Sequence, residues 1–240
     1  MPSEELSVGA LLAQSLAVVR KQAIALLAYA GVVLLLCLPC AAFVMHEMTM
    51  PGGGPPDPVL LWTSFTPLEK LGNVSSIWFM SLGLMGITQA VCTLAAWDAC
   101  AGTPSSVGNL AARLGRRLHR ILGLQLFVVL MPIFLVPLSV FTFPAMLVHD
   151  LGVFRGFEAS AKLISRHAGK TILILLAGLV AALGWAMIMF RVTTPNGPNL
   201  LASAFAFVMR LAMFYVAGAV IAIPATVIYH RSGIAAQTAV

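Results

Sequence analysis

The segment Met45-His46-Glu47-Met48-Thr49-Met50 sets three thioethers and an imidazole close together in the chain. Soft ligands of this kind suit Cu(I), which accepts few donors. A short turn could gather Met45, Met48 and Met50 around one ion with His46. Just upstream, Cys37-Leu-Pro-Cys40 has the spacing of a redox dithiol, whose chemistry depends on a thiolate and an exchange partner. Each motif also has a plainer reading. Methionine is adaptable filler at apolar surfaces, and this chain has 12. The two cysteines are small side chains around a helix-bending proline. A thiol oxidoreductase needs a second pair to pass electrons onward, and Cys92 and Cys100 lie at the far end of a different apolar run. A copper pathway needs a second site along its route.

A third chemistry is electrostatic. Arg113, Arg116, Arg117 and Arg120 crowd one short segment, and Lys162 and Arg166 lie in another. Cationic side chains on amphipathic segments meet anionic lipid headgroups. These six residues are the sequence's candidates for headgroup contact. The net charge of +6 does not point to nucleic acid, because no recognised module or aromatic-basic motif accompanies it. No HExxH, phosphate loop, Ser–His–Asp set or zinc spacing is present, so no catalytic residue, cofactor or enzymatic activity is expected.

The elements that must position these residues are membrane elements. Sixty per cent of the chain is apolar and 9% charged, against roughly 25% charged in soluble domains. Apolar blocks run from about Ala23 to Val44, Val74 to Trp97, Ile121 to Val148, Thr171 to Phe190 and Leu211 to Tyr229. Most are long enough for the ~20 residues that cross a bilayer. Together with their connections they leave no room for a soluble domain, so residues 1–240 read as one integral membrane domain. Met1–Gln14 lacks the pattern of a cleaved signal.

The third block decides topology. It carries no charge, holds Pro132, Pro137 and Pro144, and has basic segments on both sides. Cytoplasmic loops are rich in Lys and Arg. If this block is a hairpin, eleven of the 14 Lys and Arg residues fall inside, and only Lys70, Arg191 and Arg210 fall outside. If it crosses once, the division is eight against six. The hairpin is favoured, with both termini cytoplasmic. Two arms of about 13 helical residues reach only roughly 20 Å. The hairpin is therefore re-entrant, turning near Pro132–Pro137, or borrows flanking residues. The alternative is one long, kinked, steeply tilted helix.

Three amphipathic segments precede apolar runs, at Leu11–Lys21, Leu110–Arg120 and Ala159–Lys170, a loose repeat of interfacial helix plus hairpin. In the second, Val107, Leu110, Leu114, Leu118 and Ile121 share a face, and Thr103-Pro104 reads as cap and first residue. In the third, Phe154, Phe157, Ala161 and Ile164 form the stripe, and Glu158 can pair with Lys162. Leu200–Arg210 reads as an interfacial helix separate from the last span. Gly83 and Gly86, Gly178 and Ala182, and Gly218 and Ala222 mark close helix packing. Pro51–Pro58 and Val192–Asn199 read as turn-rich connections, and Thr66-Pro-Leu-Glu69 as a capping box.

The segments Phe143-Pro-Ala-Met-Leu-Val-His-Asp-Leu-Gly-Val-Phe-Arg-Gly-Phe-Glu-Ala-Ser-Ala-Lys-Leu and Ile223-Pro-Ala-Thr-Val-Ile-Tyr-His-Arg carry a resemblance. The layout resembles small bacterial six-helix inner-membrane proteins related to the membrane domain of glycerophosphodiester phosphodiesterases. In that group a Glu-Ala…Ser…Leu pattern is met here by Glu158, Ala159 and Leu163, with the Ser shifted. The resemblance implies no catalytic residues, because none come with the membrane domain, and without the soluble phosphodiesterase barrel it gives no reason to expect that activity.

The expected fold is an all-α polytopic bundle in the bacterial inner membrane. It has four full spans, a proline-broken hairpin and cytoplasmic amphipathic interfacial helices. The expected role is structural, accessory or lipid-interacting, with membrane lipids, other membrane proteins or a second copy as partners. The alternatives are soft-metal handling or transport at Met45, His46, Met48 and Met50, and thiol–disulfide exchange at Cys37 and Cys40.

Overall fold

The first helix starts at Ser7, whose hydroxyl accepts the Ala10 amide at 3.2 Å. This N-cap satisfies a first-turn donor that would otherwise lack a partner. The structure, a computed structural model, describes residues 7–47, 85–103, 105–130, 132–192 and 200–232. All regular elements among them are helical: α1 (Val8–Glu47), α2 (residues 85–100), α3 (Val107–Leu130), α4 (Pro132–Val148), α5 (Val153–Arg166), α6 (Ala168–Val192) and α7 (Leu200–Arg231). The readings of 51–58, 66–69 and Gly83 lie outside the described residues, as does most of the 192–199 loop.

α2 is the axis of the core. Ala90, Val91, Cys92, Leu94, Ala95 and Ala96 are all wholly buried. A helix apolar on every side has to be enclosed on every side. α7 packs against α1, α4 and α6, and α4 also holds α3 and α5. Glycines permit close approaches between the helices, and a Cβ on Gly86 would overlap the Gln125 side chain. A Cβ on Gly178 would sit 2.6 Å from Ile221 Cγ1, and one on Gly218 would sit 3.1 Å from Thr88 Cγ2. Small residues let backbones meet this closely.

α2 ends in a Schellman turn. Gly102 takes φ +74°, and the Thr103 amide returns 2.8 Å to the Asp98 carbonyl, satisfying an orphan acceptor of the last turn. Thr103 therefore closes α2 and does not cap α3. Ser106 is the cap instead, accepting the Asn109 amide at 3.2 Å.

The third apolar block turns back on itself. α3 and α4 pack together, and Arg120 reaches across to Asp150 at 2.6 Å. Pro132 opens α4 at the position where its missing N–H costs nothing, while Pro137 and Pro144 remain inside the helix. α4 then receives α5 along a face of small residues. Gly156 lies against Thr142 and Met146, and the Ser160 and Thr142 hydroxyls both donate to the Leu138 carbonyl.

Three local expectations are corrected. The amphipathic segments before the first and third apolar blocks are not separate interfacial helices. They continue unbroken into α1 and α3, because no proline or cap separates Lys21 from Ala23 or Arg120 from Ile121. Leu200–Arg210 is likewise the first part of the 32-residue α7. α5 is a separate helix, but its buried residues are Gly156, Ala159, Ser160 and Leu163, while Phe154 stays 72% exposed. Phe157 and Ile164 of the expected stripe do pack, partly buried, against the core, while the small residues beside them take the fully buried positions against α4.

Among the described residues, two helices are long and apolar enough to cross a membrane, Val8–Val32 and Ala168–Trp185. Arg20 and Lys21 fall within the first, so its uncharged stretch begins after Lys21 and continues up α1.

Candidate functional site at the basic end of the bundle

The ends of α2, α4 and α7 converge on one aromatic cluster. Trp97, in the last turn of α2, lies edge-on to His230 with centroids 4.8 Å apart and to His149 at 5.8 Å. Tyr229 stands 6.5 Å from Trp97 and 5.6 Å from His149. The ring of Tyr229 is wholly buried, and its Oη and His149 Nε2 are buried polar atoms without a hydrogen-bond partner. Burial lowers the pKa of both histidines, and Arg231 adds to the effect at His230.

Two carboxylates flank this cluster and organise the arginines of α3. Arg113 Nη1 donates to both oxygens of Asp98 at 2.8 Å, and Ser105 adds a donor to Oδ2 at 2.7 Å. Asp150 adopts φ +58°, a left-handed conformation that Asp tolerates better than most residues. In that conformation its Oδ1 lies 2.6 Å from Arg120 and 3.5 Å from Arg117. Arg120 also donates to the Asp150 carbonyl at 3.0 Å. The helical spacing makes this possible, because residues 113, 117 and 120 stack along one side of a helix.

The six headgroup candidates therefore divide. Arg113, Arg117 and Arg120 are engaged by Asp98 and Asp150, and Lys162 pairs with Glu158 at 2.7 Å as expected. The Lys162 ammonium holds the Glu158 carboxyl below its ordinary pKa. Arg116 and Arg166 stay exposed. The organising role of Asp98, Asp150 and the two histidines was missed, since each reads as an ordinary polar residue at a helix end. One signal was available: Asp98 and Asp150 bracket the four-arginine run.

A cleft of about 330 Å³ opens beside the cluster, between α1, the end of α2 and the end of α7. Its polar lining is Gln14, Lys21, Cys100, His230 and Arg231. Gln14, Ala17, Val18 and Lys21 form one face of α1 at helical spacing, and Val227, His230 and Arg231 do the same on α7. Burial raises the pKa of the Cys100 thiol, while Lys21 and Arg231 pull it back down. Both cations therefore act on the same space.

α1 is helical through Cys37–Cys40 and up to Glu47. The side chains of Cys37, Cys40, Met45 and His46 lie outside the described set, as do residues Met48 and Met50. Among the described residues, no three His, Cys, Asp or Glu side chains group as a metal site.

No protein-family model, curated protein or solved structure matches the chain.

Proposed function

We propose that the protein is a multi-pass component of the bacterial cytoplasmic membrane, with both termini cytoplasmic. Its basic end faces the anionic inner leaflet, and its role is non-enzymatic: structural, accessory or lipid-interacting. One observation carries the reading, the outward face of α6. Ile172, Leu176, Leu179, Val180, Leu183 and Met187 are each more than half exposed, and only 17% of the Ala168–Trp185 window is buried. The core helix of a soluble protein would bury such a window. Continuous apolar patches of this extent need a covering, and hydrocarbon is the solvent that suits them. α1 presents a comparable face through Ile24, Leu27 and Leu35, at 85%, 72% and 68% exposure. Lys21, Arg113, Arg120 and Arg231 meanwhile gather near the ends of α2, α4 and α7. Cations at one end and apolar flanks along the sides match the positive-inside arrangement.

The test is extraction of native membranes with alkaline carbonate. Retention in the pellet is the expected result. Release into the supernatant sinks the proposal.

A further inference from the structure

We propose that the cleft between α1, α2 and α7 binds a phosphate group, held by Lys21 and Arg231 with His230 and Gln14 completing the donor set. This rests on the membrane reading above, and names the ligand and the site that reading leaves open.

The argument begins with charge accounting. Three acidic side chains are described, Asp98, Asp150 and Glu158. Arg113 takes the first, Arg117 and Arg120 the second, and Lys162 the third. Lys21 and Arg231 share a cleft that no carboxylate lines among the described residues. Two cations brought to one concavity repel each other unless an anion lies between them. A guanidinium and an ammonium together suit phosphate. Arginine offers a planar fork for two oxygens, and lysine a mobile point charge for a third. The Gln14 amide and the His230 imidazole add neutral donors, and His230 is itself braced against Trp97 at 4.8 Å.

The walls and position select the ligand further. Ala17, Val18, Ala99 and Val227 line the remainder of the cleft, an apolar surface beside the cationic one. This pairing fits a phosphodiester whose glycerol backbone continues into acyl chains. The cleft lies level with Trp97, a side chain that favours the membrane–water interface. Basic pockets between helices at the cytoplasmic face bind anionic headgroups. The arginines of α3 are less suited to the task, because Asp98 and Asp150 already engage three of them in ion pairs. A phospholipid headgroup and a free phosphate share this recognition chemistry, so the test has to separate them.

Cys100 lines the cleft and is partly exposed, which makes it a local reporter. The full chain, with Cys37, Cys40 and Cys92 changed to Ala, is purified in neutral detergent and treated with N-ethylmaleimide. The labelling rate is compared with phosphatidylglycerol, phosphatidylcholine or inorganic phosphate present. The expected result is at least fivefold protection by phosphatidylglycerol and none by phosphatidylcholine. Protection should vanish in Lys21→Gln/Arg231→Gln and survive in Arg116→Gln/Arg166→Gln. Lys21→Arg should restore it in part, with helical circular dichroism unchanged throughout. Protection by inorganic phosphate alone, lost in the same double variant, also supports the site and makes a soluble phosphate its ligand. Absence of protection by either probe overturns the proposal. So does protection that survives Lys21→Gln/Arg231→Gln. Carbonate release from membranes would sink the wider membrane reading even if phosphate still protected Cys100, so the two failures are distinguishable.

Discussion

Arg120 Nη1 lies 2.6 Å from Asp150 Oδ1 and 3.0 Å from the Asp150 carbonyl oxygen. The whole uncharged block from Ile121 to Val148 lies between the two residues, so the chain leaves one place and returns to it. A single helical crossing would separate them by more than about 40 Å at 1.5 Å per residue. The pair therefore closes a hairpin, and within the membrane reading it keeps the flanking basic segments on one side.

Sidedness follows from this closure. His119→Cys and Ser165→Cys, placed singly in a background with Cys37, Cys40, Cys92 and Cys100 changed to Ala, should both react with an impermeant maleimide in inverted membrane vesicles. Neither should react in right-side-out vesicles. Labelling of the two from opposite sides would contradict the hairpin.

Asp150 has two jobs that substitutions can separate. Asp150→Asn keeps a residue that tolerates the left-handed conformation but removes the charge for Arg117 and Arg120. Asp150→Gly removes the same charge and relieves a backbone cost of roughly 1 kcal/mol. An exposed ion pair contributes about 0–1 kcal/mol. Thermal unfolding followed by circular dichroism should rank the glycine variant close to the natural chain and the asparagine variant below it.

Asp98 and Arg113 should couple more strongly. The carboxylate side chain is only 13% exposed, and it accepts two hydrogen bonds from Arg113 and one from Ser105. Hydrogen bonds to charged groups contribute roughly 1.5–3 kcal/mol. A double-mutant cycle with Asp98→Asn and Arg113→Gln should give a coupling of about 1–2 kcal/mol once solvent exposure of Arg113 is allowed for. Simple additivity of the two variants would remove Asp98 from its organising role.

Gly178→Ala should be costly, because its new Cβ meets Ile221 Cγ1 at 2.6 Å and Cδ1 at 2.7 Å. Overpacking of this kind costs about 1–3 kcal/mol. Adding Ile221→Ala should recover part of the loss, since the obstructing atoms are then gone. The measurement is melting temperature in detergent for the two single variants and the double. Gly178→Ala melting unchanged would mean α6 and α7 do not approach this closely.

Acid should loosen the aromatic cluster. Burial holds His149 and His230 below the ordinary histidine pKa of about 6.5. The unfolded chain therefore binds protons in a range where the folded chain resists them, and stability rises with pH there. The contribution is complete above about pH 7 and is lost as pH falls through the ordinary histidine range. His149 should dominate, because a proton on its buried Nε2 would find no acceptor. Melting temperature between about pH 8 and pH 5 should fall, and His149→Gln should flatten the slope. An equal slope in the variant would assign the acid sensitivity elsewhere.

Several elements were legible from composition and spacing alone. Helicity, the start of the fourth apolar run near Thr171, the Glu158–Lys162 pair and the close approaches at Gly178 and Gly218 all follow from local pattern. So did the return of the third block, since only a hairpin kept its basic flanks together. These features depend on neighbours in sequence or on one-dimensional charge distribution, which a chain carries whatever it packs against.

Tertiary structure decided the remainder. Which residues of α5 are fully buried depended on the approach of α4. Gly156, Ala159, Ser160 and Leu163 lie innermost, with Phe157 and Ile164 half-buried beside them and Phe154 outside. Ser106 became the cap of α3 because the turn after α2 had already recruited Thr103. Arg113, Arg117 and Arg120 of α3 lost their freedom to Asp98 and Asp150, carboxylates that reach them only once the helix ends converge. The cleft of Lys21, Cys100 and Arg231 draws on three helices. No periodicity could reveal it, because a cavity is the space that packing leaves and is set by all its walls together.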